Sequence, residues 1–447
     1  MMKYCKMTVE QFGKIRKAEI ELAPLTLFVG DNNSGKSYLL SLSWAMRTIV
    51  NELVFSANIF KNLKSRSYNA LKAILLENID NLTEEHSEFI DILMIKPYLQ
   101  DIINEALEIS REQLIKSLFN SDSVQIGKVS LTLPDDCEGA IEISMEDNRV
   151  QLTYKEGNAF FSRSFLEQEN KEQMKNALIA VYTPYLLKQL LRTEDEPYKS
   201  VYLPAARTGF MLTKGIINSY ARKKTFDLEI DSSEQETIQP FSRSIIEFLN
   251  VINDMSEEQN GNEQYKKLVT FIQNEMVQGN IEISALAGKE LSYIPKGQQQ
   301  RYPFRTTSAV VTELSPLFLL LEHREELRGI FYEEPEMCLH PALQKKMGQL
   351  LIKMVNEGIN VTATTHSDII LQHANNMIRL QEQDMSELSY DDSDQIAKDK
   401  VRVYQFTNLS DGTTEVTELE CGDNGFVVPT FNDALDEIMD ETIMIQK

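Results

Sequence analysis

Residues 30–37 read Gly-Asp-Asn-Asn-Ser-Gly-Lys-Ser, so Gly30, Gly35, Lys36 and Ser37 stand at the spacing GxxxxGK[ST]. The residues before this run, Leu-Thr-Leu-Phe-Val over 25–29, are continuously apolar and of strand length, and 38–50 are rich in Leu, Trp and Met as a buried helix is. Strand, glycine loop and helix in that order predict an α/β fold with a phosphate-binding turn. A plain glycine turn before an amphipathic helix would need neither the lysine nor the hydroxyl at its end. Two glycines let consecutive N–H groups point inward, at a helix start whose positive end favours anions. Lys36 then reaches the terminal phosphates of a nucleotide and the Ser37 hydroxyl ligates Mg2+. Candidate nucleotide contacts are Asn32, Asn33, Ser34, Gly35, Lys36, Ser37 and Tyr38.

What handles the nucleotide's far end must come from elsewhere in the chain, and a second block supplies it. Gly-Ile-Phe-Tyr over 329–332 reads as a buried strand running into Glu333-Glu334-Pro335-Glu336, followed by Leu339-His340-Pro341 and a helix from Ala342. Adjacent carboxylates at the end of an apolar strand are costly unpaired, so a cation is expected there, and Mg2+ with a water to be activated meets that need. A third strand over 358–364 ends in Thr365-His366-Ser367 before another helix, and a histidine at that place can hydrogen-bond a terminal phosphate.

The rest of the chain frames these blocks. Residues 3–22 alternate as a hairpin, with Met7, Val9 and Phe12 before Gly13-Lys14 and Ile15, Ala18, Ile20 and Leu22 after it. Helices are predicted over 58–75, 84–119 and 171–191, and strands over 130–133, 141–145 and 150–154; His86 reads as a surface residue. The segment 201–209 returns to a buried strand. There Arg207 stands either where a ligand is met in an open α/β sheet or in a plain salt bridge. Helices over 241–255 and 263–276 and strands over 281–286 and 291–294 lead through a polar run, 296–305, to a very apolar helix over 310–321. Ser308 at its start is placed to cap the helix or to bind an anion. The acidic run 381–394 reads as a solvated loop, 401–406 and 413–419 as a hairpin about Asp411-Gly412, and 431–439 as a last short helix.

Taken together, residues 30–37, Glu333 to Glu336 with Leu339-His340-Pro341, and Thr364 to Ser367 resemble the ATP-binding head of the RecF, SMC and OLD-nuclease branch of ABC-type ATPases. Within that branch the chain looks like the ATPase subunits of bacterial antiphage systems such as Septu and PARIS. The resemblance implies an ABC-type P-loop head with an N-terminal antiparallel β layer and a mixed or parallel core sheet, made of residues 1–50 and 200–447. It leaves 51–199 as a mainly helical insertion. It implies that Glu333 holds Mg2+, that Glu334 polarises the attacking water, that His366 is the switch histidine and that His340 lies across a dimer interface. Thr307-Ser308-Ala309 aligns with the signature segment, through which Ser308 reaches the ATP of an opposing copy. Ala309 stands where the family usually has Gly, and Glu333 where many relatives have Asp.

The partners so implied are a second copy of the chain, as a homodimer or higher homo-oligomer, and a separately encoded nuclease of HNH or Toprim type. The stretch after the histidine motif is too short for a Toprim domain, so no nuclease is expected in the chain itself. A phage protein is the implied trigger. Against this stand an ATP-held scaffold with little turnover and a repair ATPase that loads on DNA. The balance of 45 Lys+Arg against 68 Asp+Glu, a formal charge of -23, bears on the last. Nucleic acid repels so acidic a chain on average, and direct DNA contact needs a local basic surface or a basic partner. No apolar run of spanning length and no secretory signal is visible, so a cytoplasmic protein with no membrane partner is expected. Cys5, Cys137, Cys338 and Cys421 form no CxxC pair and read as reduced, structural thiols.

Overall fold

The computed structural model describes residues 5–445 apart from 57–58, 61–62, 64, 83–85, 136, 147–148, 157–158, 167–170, 194–198, 227–240, 256–262, 284–290, 383–389, 424 and 429–438. In chain order its strands are β1 (Lys6–Phe12), β2 (Ile15–Glu21), β3 (Leu25–Gly30), β4 (Glu88–Asp91), β5 (Ile126–Thr132), β6 (Ala140–Glu146), β7 (Arg149–Glu156), β8 (Ala159–Leu166), β9 (Ser200–Leu203), β10 (Gly279–Ile283), β11 (Leu291–Pro295), β12 (Tyr302–Pro303), β13 (Gly329–Glu333), β14 (Asn360–Thr364), β15 (Val401–Asn408) and β16 (Thr414–Glu418). They fall into two compact units. One comprises Met1–Glu21, Ala45–Ser117 and Ser121–Glu196; the other comprises Leu22–Trp44, Leu118–Asn120 and Pro197–Lys447.

The second unit carries the phosphate-loop sequence. Its main strands lie in the order β16-β15-β3-β14-β13-β9. From β15 to β9 every neighbouring pair is parallel, while β16 returns antiparallel along β15. All six residues of β3 are buried, which is why its sequence shows no alternation: a strand covered on both faces has no polar side. The helix Ala309–His323 is buried from Val311 to Leu321 and packs with Leu25, Leu27, Val29, Val201, Leu203 and Ile330 in one core. An apolar residue at nearly every position of that helix is what full burial requires. The smaller sheet β10-β11-β12 lies in the same unit.

In the first unit β1 pairs antiparallel with β2 on one side and with β5 on the other, so Val9 faces Ala18 and Val129 in register. The expected hairpin is present, and its alternation is real: Met7, Val9, Phe12, Ile15, Ala18 and Ile20 are all buried. The third strand, from inside the 51–199 stretch, was predicted at 130–133 but begins at Ile126. A second sheet, β4-β6-β7-β8, accompanies the helices Arg66–Asp80, Ile92–Phe119 and Lys171–Leu191.

Several boundaries differ from the sequence prediction. The helix expected over 84–119 begins at Ile92, because Glu88–Asp91 pairs with β6. The helix expected over 58–75 runs Arg66–Asp80, capped by the Ser65 hydroxyl on the Tyr68 N–H. The 263–276 helix ends in a π turn, Ile272–Met276. The acidic run is not wholly solvated, since Asp394 is buried and held by Gln349 at 2.7 Å and Lys353 at 2.9 Å. Most of the predicted last helix lies outside the described residues; 439–445 are helical. All four cysteines are free thiols.

Candidate nucleotide site

Parallel strands bring their C-terminal ends to one edge, and β14 lies between β3 and β13. The loop after β3, the carboxylates after β13 and the histidine after β14 therefore meet at that edge, although the sequence separates them by some 300 and 30 residues. In open α/β sheets this is the edge where ligands bind.

The loop is built around two glycines with positive φ. Gly30 has φ 115°, and a Cβ there would lie 2.2 Å from the Phe406 carbonyl oxygen; Gly35 has φ 93°. Asn33 also takes a left-handed φ of 56°, tolerable for Asn. The end of β15 holds the turn from below: the Asp31 N–H donates to the Phe406 carbonyl at 3.0 Å, the Asn408 N–H to Asp31 Oδ2 at 2.7 Å and Asn408 Nδ2 to the Asn32 carbonyl at 3.0 Å. Among the described residues the backbone N–H groups of Asn32, Asn33, Ser34 and Gly35 meet no protein acceptor. A row of such donors before a helix is an anion cradle, and it fits the phosphates of a nucleotide.

Lys36 opens the helix Lys36–Thr48 and is only 6% exposed. Its Nζ donates to the carbonyls of Gly30, at 3.0 Å, and Asp31. Burial lowers its pKa to about 8, against the pull of Asp31, Glu334 and Glu336, which favour the charged form. Ser37 is exposed. Tyr38, 40% exposed, packs against Phe119 with ring centroids 4.9 Å apart and planes tilted by 45°.

The carboxylates take separate roles. Glu333 accepts from the Tyr202 hydroxyl and, at 2.8 Å, from the Ala205 N–H; Tyr202 in turn accepts at 3.0 Å from Ser41, one turn beyond Ser37. Neutral donors rather than a protein cation thus answer Glu333. Each carboxylate oxygen keeps acceptor capacity, so Glu333 with Ser37 fits a hydrated Mg2+. Among the described residues there is no group of three or more His, Cys, Asp or Glu that could hold a metal ion. Glu334 sits at φ 43°, a left-handed turn held by its N–H on the Thr364 carbonyl at 3.0 Å. No described residue hydrogen-bonds its carboxylate, and it acts electrostatically on Lys36.

Sequence reasoning gave Glu336 no role, yet it ties two motifs together. It accepts from the Thr365 hydroxyl at 2.9 Å and from the His366 N–H at 2.6 Å. Burial raises its pKa, while those hydrogen bonds oppose the shift. His366 is half-buried; burial first and Lys36 second lower its pKa, against the pull of Asp31, and so favour the neutral imidazole. His340 caps the helix Pro341–Asn356 through a long 3.5 Å bond from the Ala342 N–H.

Two predicted residues lie differently from the loop. Arg207 is fully buried and paired at 2.7 Å with Glu313, itself 1% exposed, so the geometry realises the salt bridge. Ser308 occupies the N-cap position of the helix Ala309–His323 but makes no capping hydrogen bond, and it is exposed. Tyr202, Glu313, Glu336 and Asn408 were missed. The spacing of Glu336 two residues after Glu334 was visible; nothing in the spacing marks Tyr202, Glu313 or Asn408.

Solved structures with weak similarity to the chain include an SMC head domain from Thermotoga maritima, at 10% identity over 94% of this chain and 100% of that one, with a TM-score of 0.34. An Smc head bound to the C-terminal domain of ScpA, derived from Pyrococcus furiosus, matches at 14% identity over all of both chains with a TM-score of 0.34. No curated protein sequence matches significantly. Among the described residues no helix is long and apolar enough to cross a membrane. Residues 2–371 match the family described as AAA ATPase domain, and the chain belongs to that family.

Proposed function

We propose that the chain binds ATP with Mg2+ at this edge, hydrolyses it, and so controls a separate nuclease effector in a bacterial antiphage complex. The observation that carries the reading is the convergence of Lys36, Glu334, Glu336 and His366 at one sheet edge, beside a loop with unpaired N–H groups. The loop N–H groups and Lys36 hold the phosphates, and Ser37 and Glu333 hold Mg2+, which supplies charge neutralisation at the terminal phosphate. Glu334, whose carboxylate no described residue hydrogen-bonds, orients and polarises the attacking water. Neutral His366 donates a hydrogen bond toward the developing charge, from a backbone that Glu336 holds in place.

The signature segment completes the site from a second copy. Ser308, exposed and not used as a cap, is the group it presents. Residues 51–199 are the insertion in a head formed by 1–50 and 200–447. A net charge of -23 favours leaving DNA contact to the effector over a repair ATPase that loads on DNA itself.

Size-exclusion chromatography with and without ATP tests the composite site. The parent protein is expected to shift to a dimer or larger species with ATP and Mg2+, and Lys36→Ala to elute as it does without nucleotide. An ATP-dependent shift that persists in Lys36→Ala contradicts the reading.

A further inference from the structure

Arg207 is a guanidinium with no solvent exposure, and its contacts join two pieces of the site. Nη1 donates to the carbonyls of Pro204 at 2.8 Å and Glu333 at 2.6 Å, and Nη2 donates to the carbonyl of Glu334 at 3.0 Å. Its fork thus holds the backbone on both sides of the peptide that presents the water-polarising carboxylate. That backbone needs holding: Glu334 has φ 43°, and Ala206, just before Arg207, has φ 55°. Left-handed conformations at non-glycine residues persist only where surrounding contacts fix them. The guanidinium also lies over the Tyr332 ring, 4.6 Å from its centroid, so it touches three consecutive residues of the β13 end.

On its other side Arg207 pairs with Glu313 at 2.7 Å. Glu313 belongs to the helix Ala309–His323, little more than one turn beyond Ser308. Its second oxygen accepts from the Thr208 N–H at 2.9 Å and the Thr208 hydroxyl at 2.7 Å, and Thr208 also bonds Thr312 at 2.9 Å. The start of that helix is therefore tied to Arg207 by both partners of a buried ion pair and a neighbouring threonine pair. A buried ion pair is a poor source of stability, because desolvating two charges offsets their attraction. What it provides is proximity: Nη2 meets Glu313 Oε1 at 2.7 Å as an ion pair without hydrogen-bond alignment, while the directional bonds of the fork go to the carbonyls of Pro204, Glu333 and Glu334.

We propose that Arg207 and Glu313 form a strut through which the position of the Ser308 helix start sets the backbone of the Glu333-Glu334 turn. Arg207 is a positioning residue. Phosphate engaged at Ser308 displaces Glu313, and the strut transmits the displacement to the carbonyls of Glu333 and Glu334, so the water-polarising carboxylate is aligned only when the signature segment is loaded. This rests on the reading of Ser308 and Glu334 given above.

The test is a double-mutant cycle on the full chain with Arg207→Lys and Ser308→Ala. Lysine keeps the charge opposite Glu313 but loses the fork. Arg207→Lys is expected to lower kcat at least about tenfold while the Kd for a fluorescent ATP analogue stays within about threefold, a split that a general loss of structure would not give. Adding Ser308→Ala should then lower kcat by far less than it does in the parent, because the link it acts through is already cut. A kcat for Arg207→Lys within about twofold of the parent, or effects that multiply in the double variant, would overturn the strut. If Arg207→Lys loses its fold, Glu313→Gln takes its place with the same expected split, and loss of fold in both also overturns the proposal by making the pair a pillar of the core. Failure of the underlying reading looks different: there the parent does not hydrolyse ATP, or Glu334→Gln hydrolyses it at the parent rate.

Discussion

Lys36 carries the one titration at this site with a placed value. Burial disfavours its ammonium and brings its pKa to about 8, from an ordinary 10.5. A polyphosphate beside it favours the ammonium, so ATP binding takes up a proton wherever free Lys36 is neutral. Affinity should therefore be flat below about pH 8 and weaken by up to about tenfold per pH unit above it, up to the higher pKa of the bound state. Isothermal titration across that range checks the slope; an affinity that stays flat from about pH 8 to about pH 9.5 contradicts it. The same burial lowers the pKa of His366, which favours its neutral form. At this scale the sequence named the loop residues, the two carboxylates and the histidine by type and spacing. It did not reveal that Glu336 holds His366, or that Tyr202 holds Glu333, because those contacts join strand ends far apart in the chain.

Between β3 and the helix Lys36–Thr48 the loop tolerates almost no change in backbone. Gly30 combines a φ of 115° with a Cβ direction that points into the Phe406 carbonyl oxygen of the neighbouring strand. Gly30→Ala should cost about 3–5 kcal/mol, summing left-handed strain with overpacking against backbone that cannot move aside. The urea-unfolding midpoint measures it, and a loss below about 1 kcal/mol would mean that the turn relaxes freely. Elements of this kind were legible: β3, β13 and β14 announce themselves as apolar runs ending in polar motifs. The strand β4 was not, because Glu88–Asp91 runs without a break into a long helix and is strand only through its pairing with β6. Arg207 likewise read equally as ligand contact or salt bridge, since a sequence does not show which way a side chain at a strand exit turns.

At the scale of the whole molecule the parallel order β15-β3-β14-β13-β9 turns scattered motifs into one site, and that order could not be read from the chain alone. Spacing gives the parts of a nucleotide site, while the sheet decides which parts face each other. The acidic balance of the chain disfavours direct contact with nucleic acid on average. All of this depends on Glu334 being the group that polarises water rather than one that binds nucleotide. Glu334→Gln keeps the shape of the side chain and removes its charge, so a phosphate-release assay beside an ATP-binding titration tests the claim most directly. Hydrolysis should fall by about 10²–10³-fold with the Kd for ATP within about threefold of the parent. Hydrolysis at the parent rate would contradict the account.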